Sequence, residues 1–403
     1  MIPDEASGAG YRPGVARAAV ITGVGAMTAL GRGAEAFWQG LLEGRTGFRP
    51  VSLFPVERYA ARRAAEVADV PPDPDGELSL RAHLLARAAA EEALEKAGVF
   101  IGGERDALIL GTTLGGNESW TRRLSSGTSG RAPLSDGAPS ALTHLLARRW
   151  GVRGPALTIS VACASGTAPV GMAADMIRRG EAERVLAGGY DALSEFVFSG
   201  FDSLRALSTT TVRPFDRRRD GLGLGEGAGF VFLEEESAAR ARGARPLARV
   251  LGWGSGGDAH HMTRPSENGE GLVRAITAAL CHARVRPEDV GFVNAHGTAT
   301  TFNDRMEARA FETVFGARAG RVPVDSIKGS IGHTLGAAGA LEAVLVALSL
   351  SRGVLPPTPG FETPDPEVPL DVVASPREAD VRIAVSCSSA FAGTNACLVL
   401  ERA

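Results

Sequence analysis

Cysteine is scarce and scattered in this chain. Its four copies, at positions 163, 281, 387 and 397 of 403, show no CxxC spacing and no histidine-rich neighbourhood. That distribution argues against a zinc site and against a disulfide framework, and it fits a reducing, cytoplasmic setting. A basic excess is missing too. Lys and Arg number 43 against 46 Asp and Glu, so no electrostatic footprint for nucleic acid is expected. No run reaches the ~20 apolar residues of a membrane span, and the stretch from Met1 to Gly14 is polar, without the apolar core of a secretory signal. Residues 1–16 read as a loose leader, and no membrane contact is expected. Gly23-x-Gly25 lacks its third glycine, position 28 being Thr, and no acidic residue stands at the ribose-binding offset, which removes a dinucleotide-binding reading.

What is abundant is glycine, 51 residues, in a chain longer than one ordinary domain. Short apolar runs alternate with segments of helical spacing, which predicts α/β layers on largely parallel sheets. A change of register near residue 245 divides the chain into 17–245 and 246–403. The two parts share a loose order: strand, helix, strand, then a small-residue helix opening from a polar loop. Helices are predicted over 78–97, closed by Gly98, and over 141–150, 269–283, 304–315 and 336–350. Residues 117–140, rich in Ser, Gly and Pro, read as an excursion over the surface or across a subunit interface.

Three polar residues follow strands, at the sheet end where α/β proteins bind ligands. Cys163 closes the run Ala156-Leu-Thr-Ile-Ser and precedes Ala-Ser-Gly-Thr, a composition that starts a helix in a crowded interior. A helix N-terminus there would draw the thiol below its free pKa of about 8.5; for an isolated cysteine the alternative is a small packed thiol. His296 sits in Val293-Asn-Ala-His-Gly-Thr-Ala-Thr and His333 in Lys328-Gly-Ser-Ile-Gly-His, each between a strand and a helix. A metal site needs a third ligand at suitable spacing, which is lacking. A Cys/His hydrolase would leave His333 and Lys328 without a task. Two neutral imidazoles that each donate an N–H to one thioester oxygen suit a reaction passing through an enolate.

With these residues in place, the chain from about 18 to 401 resembles the elongating β-ketoacyl-[acyl-carrier-protein] synthases, type II ketosynthases of the thiolase superfamily. The likeness is carried by the Cys163 elbow, Arg213-Pro-Phe-Asp with Asp220-Gly, Asp258-Ala-His-His-Met-Thr263, Asn294-Ala-His-Gly-Thr-Ala-Thr, Lys328 to His333, and Phe391-Ala-Gly-Thr-Asn395. His333 stands where initiating enzymes carry Asn, which points to elongation. The resemblance implies a thiolase fold: two similar halves in five layers, αβαβα, with mixed five-stranded sheets. It implies a decarboxylative Claisen condensation in fatty-acid or polyketide (including polyene) elongation. An acyl group held on Cys163 would be joined to malonyl-acyl-carrier protein, giving β-ketoacyl-carrier protein and CO2.

In that reading Cys163, His296 and His333 are catalytic, Lys328 orients the third of them, and Glu307 pairs with Lys328. Backbone N–H groups of Cys163 and Ser389 would form the oxyanion hole. Thr263, Thr298 and Thr300 would hold pantetheine amides, Phe391 would also contact the substrate, and Leu114 would stand at the foot of the acyl pocket at a dimer interface. Arg205, Arg213 and Arg217 would steer an acidic acyl carrier protein. No metal and no resident cofactor are implied, because phosphopantetheine arrives on the carrier protein. The expected assembly is a homodimer, or a heterodimer with a related ketosynthase-like subunit.

The chain departs from the family pattern in two places. A gating Phe is usual two residues before the position of Phe391, with glycines on either side of Phe391; here the residues are Ser389, Ala390 and Ala392. The expectation is altered acyl access and a specialised chain. Acidic Asp73-Pro-Asp-Gly-Glu77 also precedes the helix predicted from 78, where docking Lys or Arg is usual. Two further readings stay open: a non-catalytic chain-length partner subunit of a ketosynthase heterodimer, and a thiolase-type acyl-CoA enzyme.

Overall fold

A computed structural model describes residues 17–126 and 137–403. The leader 1–16 and the centre of the 117–140 excursion lie outside the described residues. The first part of the chain contributes strands β1 (Ala19–Thr28), β2 (Asp106–Gly111), β3 (Ala156–Ile159), β4 (Arg184–Asp191) and β5 (Gly227–Glu235). Its helices are α1 (Ala34–Leu42), α2 (Arg81–Ala97), α3 (Asn117–Ser126), α4 (Ala141–Trp150), α5 (Thr167–Arg179) and α6 (Glu195–Ser203). The second part adds β6 (Ala248–Gly257), α7 (Glu270–Ala283), β7 (Phe292–Asn294), α8 (Thr301–Phe315), β8 (Pro323–Asp325), α9 (Ala338–Arg352), β9 (Asp371–Val372), β10 (Ile383–Ser389) and β11 (Thr394–Arg402). Residues 117–126, which open the stretch read as an excursion over the surface or across a subunit interface, are helical.

Strand order repeats between the two parts. The first sheet runs β3-β2-β4-β5-β1 and the second β8-β7-β10-β11-β6, with the two-residue β9 added outside β8; leaving β9 aside, the third, second, fourth, fifth and first strands of each part lie side by side. Directions repeat as well: β2 is parallel to β3 and β4, β7 is parallel to β8 and β10, and β5 and β1 in the first sheet, like β11 and β6 in the second, run antiparallel to their neighbours. The sheets are not separate. Val20 and Ile21 of β1 pair with Arg249 and Ala248 of β6, so hydrogen bonding continues from one five-stranded sheet into the other.

Helices α5 and α9 touch strands of both sheets and each other, forming a middle layer, while α2 covers the first sheet and α7 and α8 the second. Every residue of α9 from Ala338 to Leu350 is buried. A helix apolar on all sides has nowhere else to go in water. The segment Leu335–Arg352 is apolar and long enough to cross a membrane, yet 89% of it is buried inside the protein. Gly25 of β1 lies so close to α2 that a Cβ there would stand 1.9 Å from the Ala89 carbonyl oxygen. The glycine pair of β1 therefore serves sheet-to-helix packing. The acidic segment ahead of α2 is spent internally: Asp73 is buried, accepts the N–H groups of Glu77 and Leu78, and pairs with Arg149 of α4.

Candidate active site

After β3 the chain turns sharply through Ala162, whose φ of 49° is left-handed, a conformation that costs a non-glycine residue roughly 1–2 kcal/mol. Three bonds hold it: Ser165 Oγ accepts from Val161 N and donates to Ala162 O, and Thr113 Oγ1 donates to Ala162 O. The next residue, Cys163, is 6% exposed. Helix α5 begins only at Thr167, so the sulfur sits four residues ahead of the first helical residue. Burial pushes the thiol up to about 12, against the pull of the Lys328 charge. This corrects the expectation of a lowered pKa: the resting group is a thiol, because desolvation outweighs the distant helix end. Backbone N–H groups of Phe391 and of Cys163 itself reach the sulfur. The second N–H at the sulfur is that of Phe391, where that of Ser389, two residues earlier, was expected.

His296 follows β7, and its loop is fastened by a buried carboxylate. Glu307 Oε1 accepts the His296 N–H and Oε2 the Gly297 N–H, each at 2.7 Å, and Asn303 Nδ2 donates to Oε2. Burial, with Asp304 beside it, raises Glu307 to about 8. His333 is clamped by the glycine-dense loop before β5, its N–H donating to Gly223 O at 2.7 Å and its C=O accepting from Gly225 N at 3.1 Å. The two rings meet edge to face, centroids 5.1 Å apart and planes at 87°. Burial drives both imidazoles well below 6.5, with the Lys328 charge adding to it. Both are therefore neutral, and neither Nδ1 has a partner among the described residues.

Two further acids assemble the site. Lys328 is 1% exposed and its Nζ donates to Glu342 Oε1 on α9. Glu342 Oε2 accepts from Ser388 Oγ, which is 2.7 Å from Thr167 Oγ1 at the start of α5. The carboxylate paired with Lys328 is thus Glu342, a correction to the expected Glu307, whose oxygens are taken by the His296 loop. At the end of β4, Asp191 accepts from Thr112 Oγ1, Thr113 N, Leu114 N and Gly336 N. It ties the turn beside Cys163 to the loop after His333. Their approach needs glycine: a Cβ on Gly166 would stand 2.6 Å from Gly336 O.

Cys163, His296 and His333 line one cavity of about 340 Å³, together with Thr263, Thr298, Thr300, Ser389, Phe391 and Arg205. Thr298 Oγ1 and Thr300 Oγ1 lie 2.9 Å apart. Phe391 stacks on Phe201 of α6, centroids 5.4 Å apart, and the next residue, Ala392, takes a left-handed φ of 66°. Arg264 stands over the Phe302 ring at 4.8 Å on the rim. Leu114 does not line this cavity; it packs on the cluster around Leu193, Phe198 and Leu207. Arg213 and Arg217 are also off the cavity wall. The Arg213 guanidinium donates to Thr210 Oγ1 and Thr211 O, and Arg217 is exposed. Among the described residues no three His, Cys, Asp or Glu side chains form a metal-ligating cluster. Sequence reading missed Glu342, Asp191, the Phe391 N–H and Arg264. A lone acid inside an apolar helix or at the end of an apolar strand was the available signal for the first two.

The description "Beta-ketoacyl synthase, N-terminal domain" matches residues 16–239, and "Beta-ketoacyl synthase, C-terminal domain" matches 247–362. The chain belongs to the beta-ketoacyl synthase family. This synthase is 40% identical to the tetracenomycin polyketide synthase ketoacyl synthase alpha subunit of Streptomyces glaucescens, across 95% of its own chain and 96% of the relative. It is 36% identical to 3-oxoacyl-[acyl-carrier-protein] synthase 2 of Coxiella burnetii, across 96% and 99%. Among solved structures it resembles the ishigamide ketosynthase/chain length factor, at a TM-score of 0.90 and 37% identity over 96% of this chain and 100% of that one. It also resembles a type II polyketide acyl-carrier protein in complex with its ketosynthase bound to the hexaketide, at 0.89 and 28% over 96% and 100%. The synthase is thus a ketosynthase of thiolase fold and a condensing enzyme of the acyltransferase class.

Proposed function

We propose that this ketosynthase elongates a carrier-bound polyketide or fatty acyl chain by decarboxylative condensation, with Cys163 as nucleophile. The observation that carries the reading is one cavity lined by a buried thiol and two neutral imidazoles. A neutral imidazole can take the thiol proton as sulfur attacks the acyl thioester. A carbon–sulfur bond forms to Cys163, the bond to the carrier's phosphopantetheine sulfur breaks, and the proton follows the departing thiolate. The arm comes with the carrier protein, so the protein needs no resident cofactor. With malonyl carrier protein bound, the bond to the carboxylate breaks and CO2 leaves. The electron pair stays on the α-carbon and the thioester oxygen, where N–H groups of His296 and His333 stabilise it. That carbon attacks the acyl carbonyl, the Cys163 and Phe391 N–H groups hold the oxyanion, and Cys163 leaves as thiolate and takes up a proton from water, replacing the one that left with the first carrier's thiol.

Thr263, Thr298 and Thr300 would hold the pantetheine amides. Exposed Leu204 and Phe302 with Arg205 and Arg264 at the cavity mouth give an apolar surface with positive charge, matched to an acidic carrier protein. Arg213 and Arg217 would add to the steering field, and Leu114 would bound the chain from behind α6. Residues 17–245 and 246–403 would act as two halves of one site, the first bringing the thiol and the second the histidines. A second ketosynthase-like subunit, identical or a chain-length partner, would pair along β3. We place the enzyme in the cytoplasm, with carrier proteins.

The test is intact mass spectrometry after incubation with acyl carrier proteins of varied chain. Wild type should gain the mass of the acyl group and Cys163→Ala should not. No adduct across a broad panel, conjugated and oxidised chains included, overturns the reading.

A further inference from the structure

Strand β10 ends in two serines whose side chains face opposite ways. Ser388 Oγ is bonded, to Thr167 Oγ1 and Glu342 Oε2. Ser389 Oγ is not. The residue is 8% exposed, its hydroxyl has no hydrogen-bond partner among the described residues, and it lines the cavity that holds Cys163, His296 and His333. Buried hydroxyls are nearly always bonded, because an unmet one carries its full desolvation cost. The neighbouring threonines of the cavity show the contrast, Thr298 and Thr300 having satisfied each other.

The position of this hydroxyl limits what it can meet. Ser389 lies two residues before Phe391, whose N–H reaches the Cys163 sulfur. The carbonyl carbon of an acyl group on that sulfur therefore lies beside the same short segment. The segment is held still: Phe391 stacks on Phe201, and the Ala392 N–H donates to Met262 O at 2.7 Å. A polar group among the first few atoms of the acyl chain would stand beside this segment, where it could satisfy Ser389 Oγ.

Resting on the condensing reading above, we propose that the Ser389 hydroxyl is a specificity determinant that hydrogen-bonds an oxygen at C3 of the acyl chain, so that this synthase favours β-oxygenated chains over saturated ones. A hydroxyl both donates and accepts, so it serves a ketone, an enol or an alcohol there. A chain with a C3 oxygen is what a condensation leaves when no reduction and dehydration follow. The reaction that supplies this substrate is therefore another condensation, unreduced or reduced only as far as the alcohol.

The experiment compares two chains of equal length on one carrier protein, 3-oxooctanoyl and octanoyl, and reads the rate of adduct formation on Cys163 in wild type, Ser389→Ala and Ser389→Thr. Intrinsic reactivity differs between the two thioesters, so the quantity read is the ratio of their rates in each variant relative to wild type. The 3-oxo preference should fall about tenfold in Ser389→Ala, the loss of one neutral hydrogen bond, and should persist in Ser389→Thr, which keeps the hydroxyl. An unchanged ratio in Ser389→Ala, with both adducts forming, overturns this proposal and leaves the condensing reading standing. No adduct from either chain on wild type overturns both.

Discussion

Because burial raises the Cys163 thiol to about 12 and holds both imidazoles well below 6.5, the resting proton sits on sulfur and the histidines carry one N–H each. A lowered imidazole pKa means that the charged form appears only far into acid. Decarboxylation of malonyl carrier protein should therefore stay level from pH 7.5 down to 5.5, and an acid limb with an apparent pKa near 6.5 would contradict the neutral pair. Behind the rings, Lys328 and Glu342 are a fully buried couple. Removing one member strands the other charge, a loss of about 3–5 kcal/mol. Lys328→Ala should lower unfolding stability by that order and stop condensation, with Lys328→Met/Glu342→Leu recovering stability without activity. A urea midpoint that barely moves for Lys328→Ala sinks this account. The residue types of the site were legible in the sequence, since Cys, His and His each follow an apolar run. Their protonation was not, because it depends on desolvation, and the carboxylate partner of Lys328 was misread because only packing shows that α9, and not α8, passes behind it.

Elements that alternate apolar and polar residues or end in glycine were readable, as Gly98 closing α2 with a φ of 67° shows. Where backbone strain or tertiary bonds decide, they were not: α5 starts four residues after Cys163 because Ala162 must first turn through left-handed space, and α3 forms in a stretch of unhelpful composition. The segment after β10 carries the same kind of strain at Ala392, φ 66°. Glycine adopts that conformation freely but loses more entropy on folding. Ala392→Gly should therefore change stability by less than about 1 kcal/mol while loosening the backbone beside Phe391. Hydrogen exchange of the amides at 391–394 should speed up in the variant, and exchange equal to wild type would remove the claim that alanine stiffens this segment.

At the scale of the molecule, the repeated strand order places the two histidine loops and the cysteine elbow against one middle layer, and buried acids accumulate there. Asp325 at the end of β8 accepts from Asn294 Nδ2 through Oδ1, while its Oδ2 has no partner among the described residues. Burial raises it from 3.8 to about 8. A raised carboxyl contributes stability that is complete below 3.8 and is lost as pH rises through 8, since the native state keeps a proton that the unfolded chain gives up. Asp325→Asn keeps the shape and removes the proton, so its stability relative to wild type should climb between pH 4 and 8, by up to about 1.4 kcal/mol per pH unit. Parallel stability curves for the two proteins would show that Asp325 is ionised throughout.

The outer end of the first sheet sets a second expectation at this scale. β3 pairs with β2 on one side and is the last strand in the order, so its other edge presents unpaired backbone groups. Leu157 and Val161 are exposed there to 38% and 36%, in a chain whose other strands are mostly buried. A flat apolar edge is a template for another strand, and soluble proteins cover it or charge it. Here it carries no Lys, Arg, Asp or Glu from Ala156 to Val161. Pairing with the same edge of a second ketosynthase-like subunit would continue the sheet and lie close to the cysteine elbow, only two residues beyond Val161. Leu157→Arg places a charge on that edge and should convert the dimer to monomer in light scattering. Acylation of Cys163 should fall with it, because the elbow loses the support of its strand. A Leu157→Arg variant that remains dimeric would locate the subunit contact elsewhere, and a wild-type protein that is monomeric at micromolar concentration both alone and co-expressed with a chain-length subunit would overturn the pairing.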